Sequence, residues 1–172
     1  MLQVSCAAPF FEGEAVSEGE FVNVKLDDYR GKWVVLFFWP LDFTFVCPTE
    51  VTAFSKRIDQ FKELNVQVVG ASIDSKFTHL AWTDRIGAIN YPMLSDITKS
   101  ISREYGVLIE EEGIALRGLF IIDPDGKLRY QVVHDLSVGR NVDEVIRVIK
   151  ALQTGELCPI DWEEGAPTLG KA

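Results

Sequence analysis

The feature that most constrains the fold is a pair of apolar runs separated by an amphipathic stretch. The first run is Trp33-Val34-Val35-Leu36-Phe37-Phe38, the length and composition of a buried strand. From Thr49 onward, Val51, Phe54, Ile58, Phe61 and Leu64 recur at helical spacing. The second run, Val-Gln-Val-Val-Gly-Ala over 66–71, reads as another strand. Strand, helix and strand in that order form a βαβ unit, with parallel strands and a right-handed crossover.

The flanking sequence extends this unit. Phe21-Val22-Asn23-Val24-Lys25 alternates as a half-buried strand does. Residues 75–84 place Phe77, Leu80 and Ala81 on one helical face. Ser95 or Asp96 is the expected cap of a helix running towards Tyr105, with Gly106 as its stop. Leu119-Phe120-Ile121-Ile122 and Leu128-Arg129-Tyr130-Gln131-Val132-Val133 flank Asp123-Pro124-Asp125-Gly126, the pattern of a hairpin. Asn141 is the expected cap of a last helix, with Val142, Val145, Ile146, Ile149 and Leu152 inward and Thr154-Gly155 ending it. The expected fold is α/β, a central mixed sheet flanked by helices on both faces. The βαβ start and the later hairpin suggest a thioredoxin-like fold. We expect one domain over 1–155 and a tail over 156–172.

Composition narrows the function. The 172 residues are 47% hydrophobic and 25% charged, with a net charge of −9. That acidity argues against nucleic acid or an anionic membrane as the main partner. No apolar stretch approaches the roughly 18 residues of a spanning helix. The start, Met1-Leu2-Gln3-Val4-Ser5-Cys6, shows no secretory pattern, so a cytoplasmic protein is expected. Cys6, Cys47 and Cys158 have neither metal-site nor Cys-x-x-Cys spacing. An odd number of cysteines in a reducing compartment fits one or two reactive thiols better than a disulfide framework.

Cys47 is the thiol to examine, because it lies where the first strand gives way to the helix. Backbone N–H groups and the helix dipole there favour a thiolate, the reactive form of cysteine. An ordinary thiol, with a pKa of about 8.5, is only a few per cent ionised at neutral pH. Reducing a peroxide needs more: the O–O bond held in line with sulfur, and the departing oxygen stabilised. Thr44, three residues earlier, brings a hydroxyl within reach, although a turn hydroxyl bonded to nearby backbone is the simpler reading. Pro40 can cover the sulfur with an apolar ring or merely end the strand. Pro48 suits a first helical turn. Glu50 can pair with an arginine or serve as a first-turn acid. Arg117, before the strand at 119–122, can be aimed into a site at the sheet edge; Arg140, before the last helix, is a second candidate.

Pro40-x-x-x-Thr44-x-x-Cys47, extended through Phe43-Thr44-Phe45-Val46-Cys47-Pro48-Thr49-Glu50, resembles the active-site loop of the typical two-cysteine peroxiredoxins, including the alkyl hydroperoxide reductase peroxidase subunits. Asp74-Ser75 with His79-Leu80-Ala81-Trp82, Tyr91-Pro92-Met93-Leu94-Ser95-Asp96, Arg117-Gly118-Leu119-Phe120 and Val138-Gly139-Arg140-Asn141-Val142-Asp143-Glu144 are similar to that family as well. The resemblance covers about residues 21–162. It implies that Cys47 is the peroxidatic cysteine, with Pro40, Thr44 and Arg117 completing its pocket. Cys158-Pro159 followed by Trp162 resembles the resolving-cysteine segment. The implied cycle runs from hydroperoxide to a Cys47 sulfenic acid and then to a disulfide with Cys158. Thioredoxin or a dedicated disulfide reductase reverses that disulfide. No cofactor or metal is implied. The residues alone leave the disulfide within or between chains; the family implies an intersubunit bond in a homodimer, often five dimers in a decameric ring. A helix-start cysteine meets one on a tail only if their Cα atoms approach within about 7 Å, so local unfolding around both is expected.

Two departures carry an expectation. Family members readily inactivated by excess peroxide resemble one another in a Gly-Gly-Leu-Gly segment and a terminal helix with Tyr-Phe. Here Arg85-Ile86-Gly87-Ala88-Ile89-Asn90 stands in the first place, and no Tyr-Phe follows Cys158. Resistance to sulfinic acid formation is therefore expected. Three other readings compete. A cysteine hydrolase would need His79 or His134 beside the sulfur, and both read as ordinary polar residues. A thioredoxin-type oxidoreductase lacks its Cys-x-x-Cys. The third is a non-enzymatic binding protein, a redox sensor or holdase; its client holding would survive loss of Cys47.

Overall fold

The computed structural model describes residues 2–171. The chain divides into two compact units, Met1–Arg140 and Asn141–Ala172. The boundary falls before the last helix, whereas the expected tail begins at Glu156.

In the first unit, strands β1 (Glu12–Ser17), β2 (Glu20–Lys25), β3 (Trp33–Phe38), β4 (Val66–Ser72), β5 (Met93–Ser95), β8 (Arg117–Ile122) and β9 (Leu128–His134) form one mixed sheet in the order β2-β1-β5-β4-β3-β8-β9. Strands β3 and β4 are parallel, as are β4 and β5. Antiparallel pairs β1–β2, β1–β5, β3–β8 and β8–β9 complete the ladder. A separate small hairpin joins β6 (Leu108–Ile109) to β7 (Ile114–Ala115). Strands β3 and β8 are buried almost throughout, which is why both read as continuous apolar runs.

The helices are α1 (Cys47–Lys56), α2 (Ile58–Glu63), α3 (Lys76–Ile86) and α4 (Ser100–Glu104), with α5 (Val142–Thr154) in the second unit. The expected single helix after Cys47 is interrupted. Arg57, at φ −103° and ψ 10°, separates α1 from α2. The apolar period continues across the break, so Val51, Phe54, Ile58 and Phe61 are all buried. Ser75 caps α3 by accepting the Thr78 N–H. Leu36, Phe38, Val69, Leu94, Tyr105 and Phe120 belong to one large core cluster. Phe37, Trp39, Phe54 and Tyr91 form an aromatic group, with Phe37 and Phe54 stacked at 4.4 Å.

In the second unit, Asn141 accepts the Asp143 and Glu144 N–H groups and starts α5, and Gly155 in the left-handed region ends it. The following chain folds back: Leu157 N–H donates to the Gly170 carbonyl, and Arg147 donates to the Trp162 carbonyl. Lys150 pairs with Glu164. Among the described residues, no helix is long and apolar enough to cross a membrane.

Candidate active site

Cys47 is the first residue of α1, and Pro48 follows where a missing N–H costs nothing. The cysteine is buried, 1% exposed. β3 delivers the chain to this point through residues 39–46. In that loop Pro40 is buried, and Phe43 takes φ +57° without being glycine. The Thr44 hydroxyl donates to the Leu41 carbonyl at 2.9 Å. Its turn role is therefore present, and its lone pairs remain for a donor from outside.

The sheet supplies the charge. β8 runs antiparallel to β3, with Phe37 opposite Leu119, so β8 begins at the sheet end where β3 finishes. Arg117 is the first residue of β8. Its Nη1 donates to Cys47 Sγ at 3.5 Å and to Glu50 Oε2 at 2.7 Å, while Nε donates to the Leu136 carbonyl at 2.8 Å. Gly118 is needed beside it, because a Cβ there would lie 2.5 Å from Val107 Cγ1.

Glu50, one turn into α1, binds two guanidinium groups. Arg140 donates to it from Nε at 2.8 Å, from Nη2 at 2.9 Å and from its backbone N–H at 2.8 Å. Arg140 also donates to the Gly118 carbonyl and lies over the Phe37 ring. Burial pushes the Glu50 carboxyl up, but hydrogen bonds and charge from Arg140, then the charge of Arg117, outweigh it and hold it below the ordinary range. Burial pulls the Arg140 guanidinium down, against the opposing pull of Glu50. Cys47, Glu50, Arg117 and Arg140 thus stand in one buried cluster.

This arrangement presents a sulfur, a helix N-terminus and a fixed guanidinium at one point. Charge developing on an oxygen bonded to that sulfur would meet N–H donors already in place. The AhpC/TSA family model matches residues 4–131 of the chain. The chain belongs to the peroxiredoxins. A Clostridium pasteurianum protein assigned as a peroxiredoxin from its rubredoxin operon is 55% identical, over 94% of this chain and 96% of its own length. The mitochondrial thioredoxin-dependent peroxide reductase of Drosophila melanogaster is 56% identical over 94% of this chain and 73% of its own. The crystal structure of reduced Plasmodium vivax 2-Cys peroxiredoxin superposes with a TM-score of 0.93 at 45% identity, covering 96% of this chain and 91% of that one. The α/β mixed-sheet, thioredoxin-like fold expected from the sequence is the fold of this peroxiredoxin.

Two other cysteines remain. Cys6 is exposed. Cys158 is half-buried in the second unit; its sulfur stands 3.5 Å from the Thr154 hydroxyl and donates to the Ala151 carbonyl at 3.7 Å. His79, read from the sequence as an ordinary polar residue, is fully buried and bonded to Asp42 at 2.7 Å. Neither Asp42 nor its bond to His79 was expected. The one sequence signal was a polar pair, Asp42 and His79, inside two segments that both carry the family resemblance.

Proposed function

We propose that this peroxiredoxin is a thiol-dependent peroxidase acting on hydrogen peroxide and organic hydroperoxides. The observation that carries the reading is the Arg117 guanidinium 3.5 Å from the Cys47 sulfur, clamped by Glu50. The thiolate attacks one peroxide oxygen, an S–O bond forms, and the O–O bond breaks. The departing oxygen takes a proton and leaves as water or an alcohol. Arg117 donates to the oxygens as their charge grows, while the Thr44 hydroxyl accepts from the substrate O–H. Pro40 excludes water from the sulfur.

Cys158 then attacks the Cys47 sulfenic sulfur, expelling water and leaving a disulfide. Thioredoxin or a comparable dithiol reductase restores both thiols by exchange. The sequence resemblance to the typical two-cysteine peroxiredoxins supports a bond between subunits of a homodimer, with a decamer as the larger assembly. Cys47 is held in the first turn of α1 and Cys158 against α5; local unfolding around each frees them to bring their Cα atoms within the about 7 Å that a disulfide needs. Because α3 is followed by Gly87-Ala88-Ile89-Asn90 in place of a Gly-Gly-Leu-Gly segment, the enzyme resists sulfinic acid formation; intact mass after modest peroxide excess checks this.

Stopped-flow reaction of the reduced protein with hydrogen peroxide tests the cycle. Cys47→Ser removes all reaction. Cys158→Ser accepts one oxidising equivalent and stalls as the sulfenic acid. Unchanged peroxide consumption by Cys47→Ser would overturn the assignment.

A further inference from the structure

Asp42 is held on every side. Its Oδ1 accepts the Trp39 indole N–H at 2.8 Å, and its Oδ2 is 2.7 Å from His79 Nδ1. Its backbone N–H donates to Asp74 Oδ2 at 2.9 Å, and that carboxylate also accepts the Ser72 hydroxyl. The far nitrogen of the histidine, Nε2, is 3.2 Å from the Leu94 carbonyl. One aspartate therefore closes the loop over 39–46 on itself at Trp39 and ties it to α3 and to the β4–α3 connection, and through His79 to β5. The side chains of Asp42 and His79 are both 0% exposed.

The Leu94 carbonyl and the Asp42 side chain both offer acceptor oxygens, so each ring nitrogen of His79 faces one. Burial pushes the Asp42 carboxyl up, hydrogen bonding and charge from His79 oppose this, and the charge of Asp74 adds to it. The groups facing the pair are the Trp39 N–H from the loop after β3, Asp74 from the β4–α3 connection and the Leu94 carbonyl from β5.

What the pair holds is the strained part of the loop. Phe43, with φ +57°, is the next residue, and Thr44 follows it. A positive φ at a bulky residue persists only when its surroundings over-determine it. We propose that Asp42 and His79 are positioning residues for the peroxide site: by joining the loop to α3 and β5 they fix the 41–46 turn, and so the place of the Thr44 hydroxyl ahead of Cys47. The inference rests on the peroxidase reading above.

Stopped-flow peroxide reaction tests this on reduced wild-type, Asp42→Asn and Asp42→Ala proteins. Hydrogen exchange of the 41–46 amides is followed on the same samples. Asparagine reproduces each bond, accepting from Trp39 and donating to Nδ1. We expect Asp42→Ala to react roughly 10- to 100-fold more slowly, with faster exchange in the turn. Asp42→Asn should keep the wild-type rate and exchange. An Asp42→Ala protein with wild-type rate and exchange, or an Asp42→Asn protein as slow as Asp42→Ala, would overturn the proposal. If Asp42→Ala does not fold, Asp42→Asn decides by itself: wild-type rate and exchange support the proposal, and a rate roughly 10-fold or more below wild type overturns it. A wild type inert to peroxide would sink the peroxidase reading instead, and the exchange comparison would still decide this one.

Discussion

Glu50 lies between two arginines, and its charge is the reason both can be buried. Its side chain is 3% exposed, that of Arg117 4% and that of Arg140 1%. Removing one partner from a buried ion pair strands the other charge, so Glu50→Gln should cost about 3–5 kcal/mol, read by urea unfolding. Arg117 makes a different demand. Its planar group reaches the sulfur, Glu50 and the Leu136 carbonyl at once. A lysine carries the charge but not that fork. Arg117→Lys should therefore lower the second-order rate constant for peroxide roughly 10²–10³-fold, the loss seen when a positioned donor is removed, while unfolding at nearly the wild-type midpoint. A stopped-flow rate within about threefold of wild type would place the catalytic donor elsewhere.

At the scale of elements, caps and breaks decide where each helix lies. Asn141→Ala removes two side-chain bonds at the start of α5 and should destabilise the protein by about 1 kcal/mol, seen as a lower urea midpoint at constant slope. The fourth helix shows how a cap can act at a distance. Ser95 or Asp96 was expected to cap the helix next to it; α4 instead begins at Ser100, after Lys99 at φ +61°. Asp96 nevertheless accepts the Ile101 and Ser102 N–H groups at 3.0 and 2.7 Å. Strand β4 shows a packing constraint. A Cβ on Gly70 would come within 2.6 Å of the Trp39 ring and 3.1 Å of Phe37 and Tyr91. Gly70→Ala should cost about 1–3 kcal/mol through overpacking, measured by thermal unfolding. β1 and β5 were not foreseen. Three residues of β5 are too few to show a period, and β1 is a strand because β2 and β5 pair with it on both sides.

For the whole molecule, Glu50 makes a prediction about acid. Its carboxyl is held below the ordinary value of 4.5 in the folded state, so its stabilising contribution is complete above that value and is lost as pH falls through the lowered one. The wild type should lose more stability on acidification than Glu50→Gln does, a difference visible in urea midpoints measured from neutral to acidic pH. Glu110 and Glu144 are shifted the same way by Arg103 and Arg147, but they are exposed, and solvent screens them. The elements were readable because burial imposes a period: two strands and the helix between them follow from where the apolar residues fall. The segment from Pro40 to Glu50 was readable because its parts are adjacent in the chain. Tertiary structure alone decided the rest. Arg117 is 70 residues from Cys47 and reaches the sulfur only because β8 pairs antiparallel with β3. Asp42 and His79 are 37 apart and meet only where the loop after β3 closes against α3. Periodicity in a sequence reports which face of an element is buried; which polar groups are buried together depends on strand order and register, and those are properties of the assembled sheet.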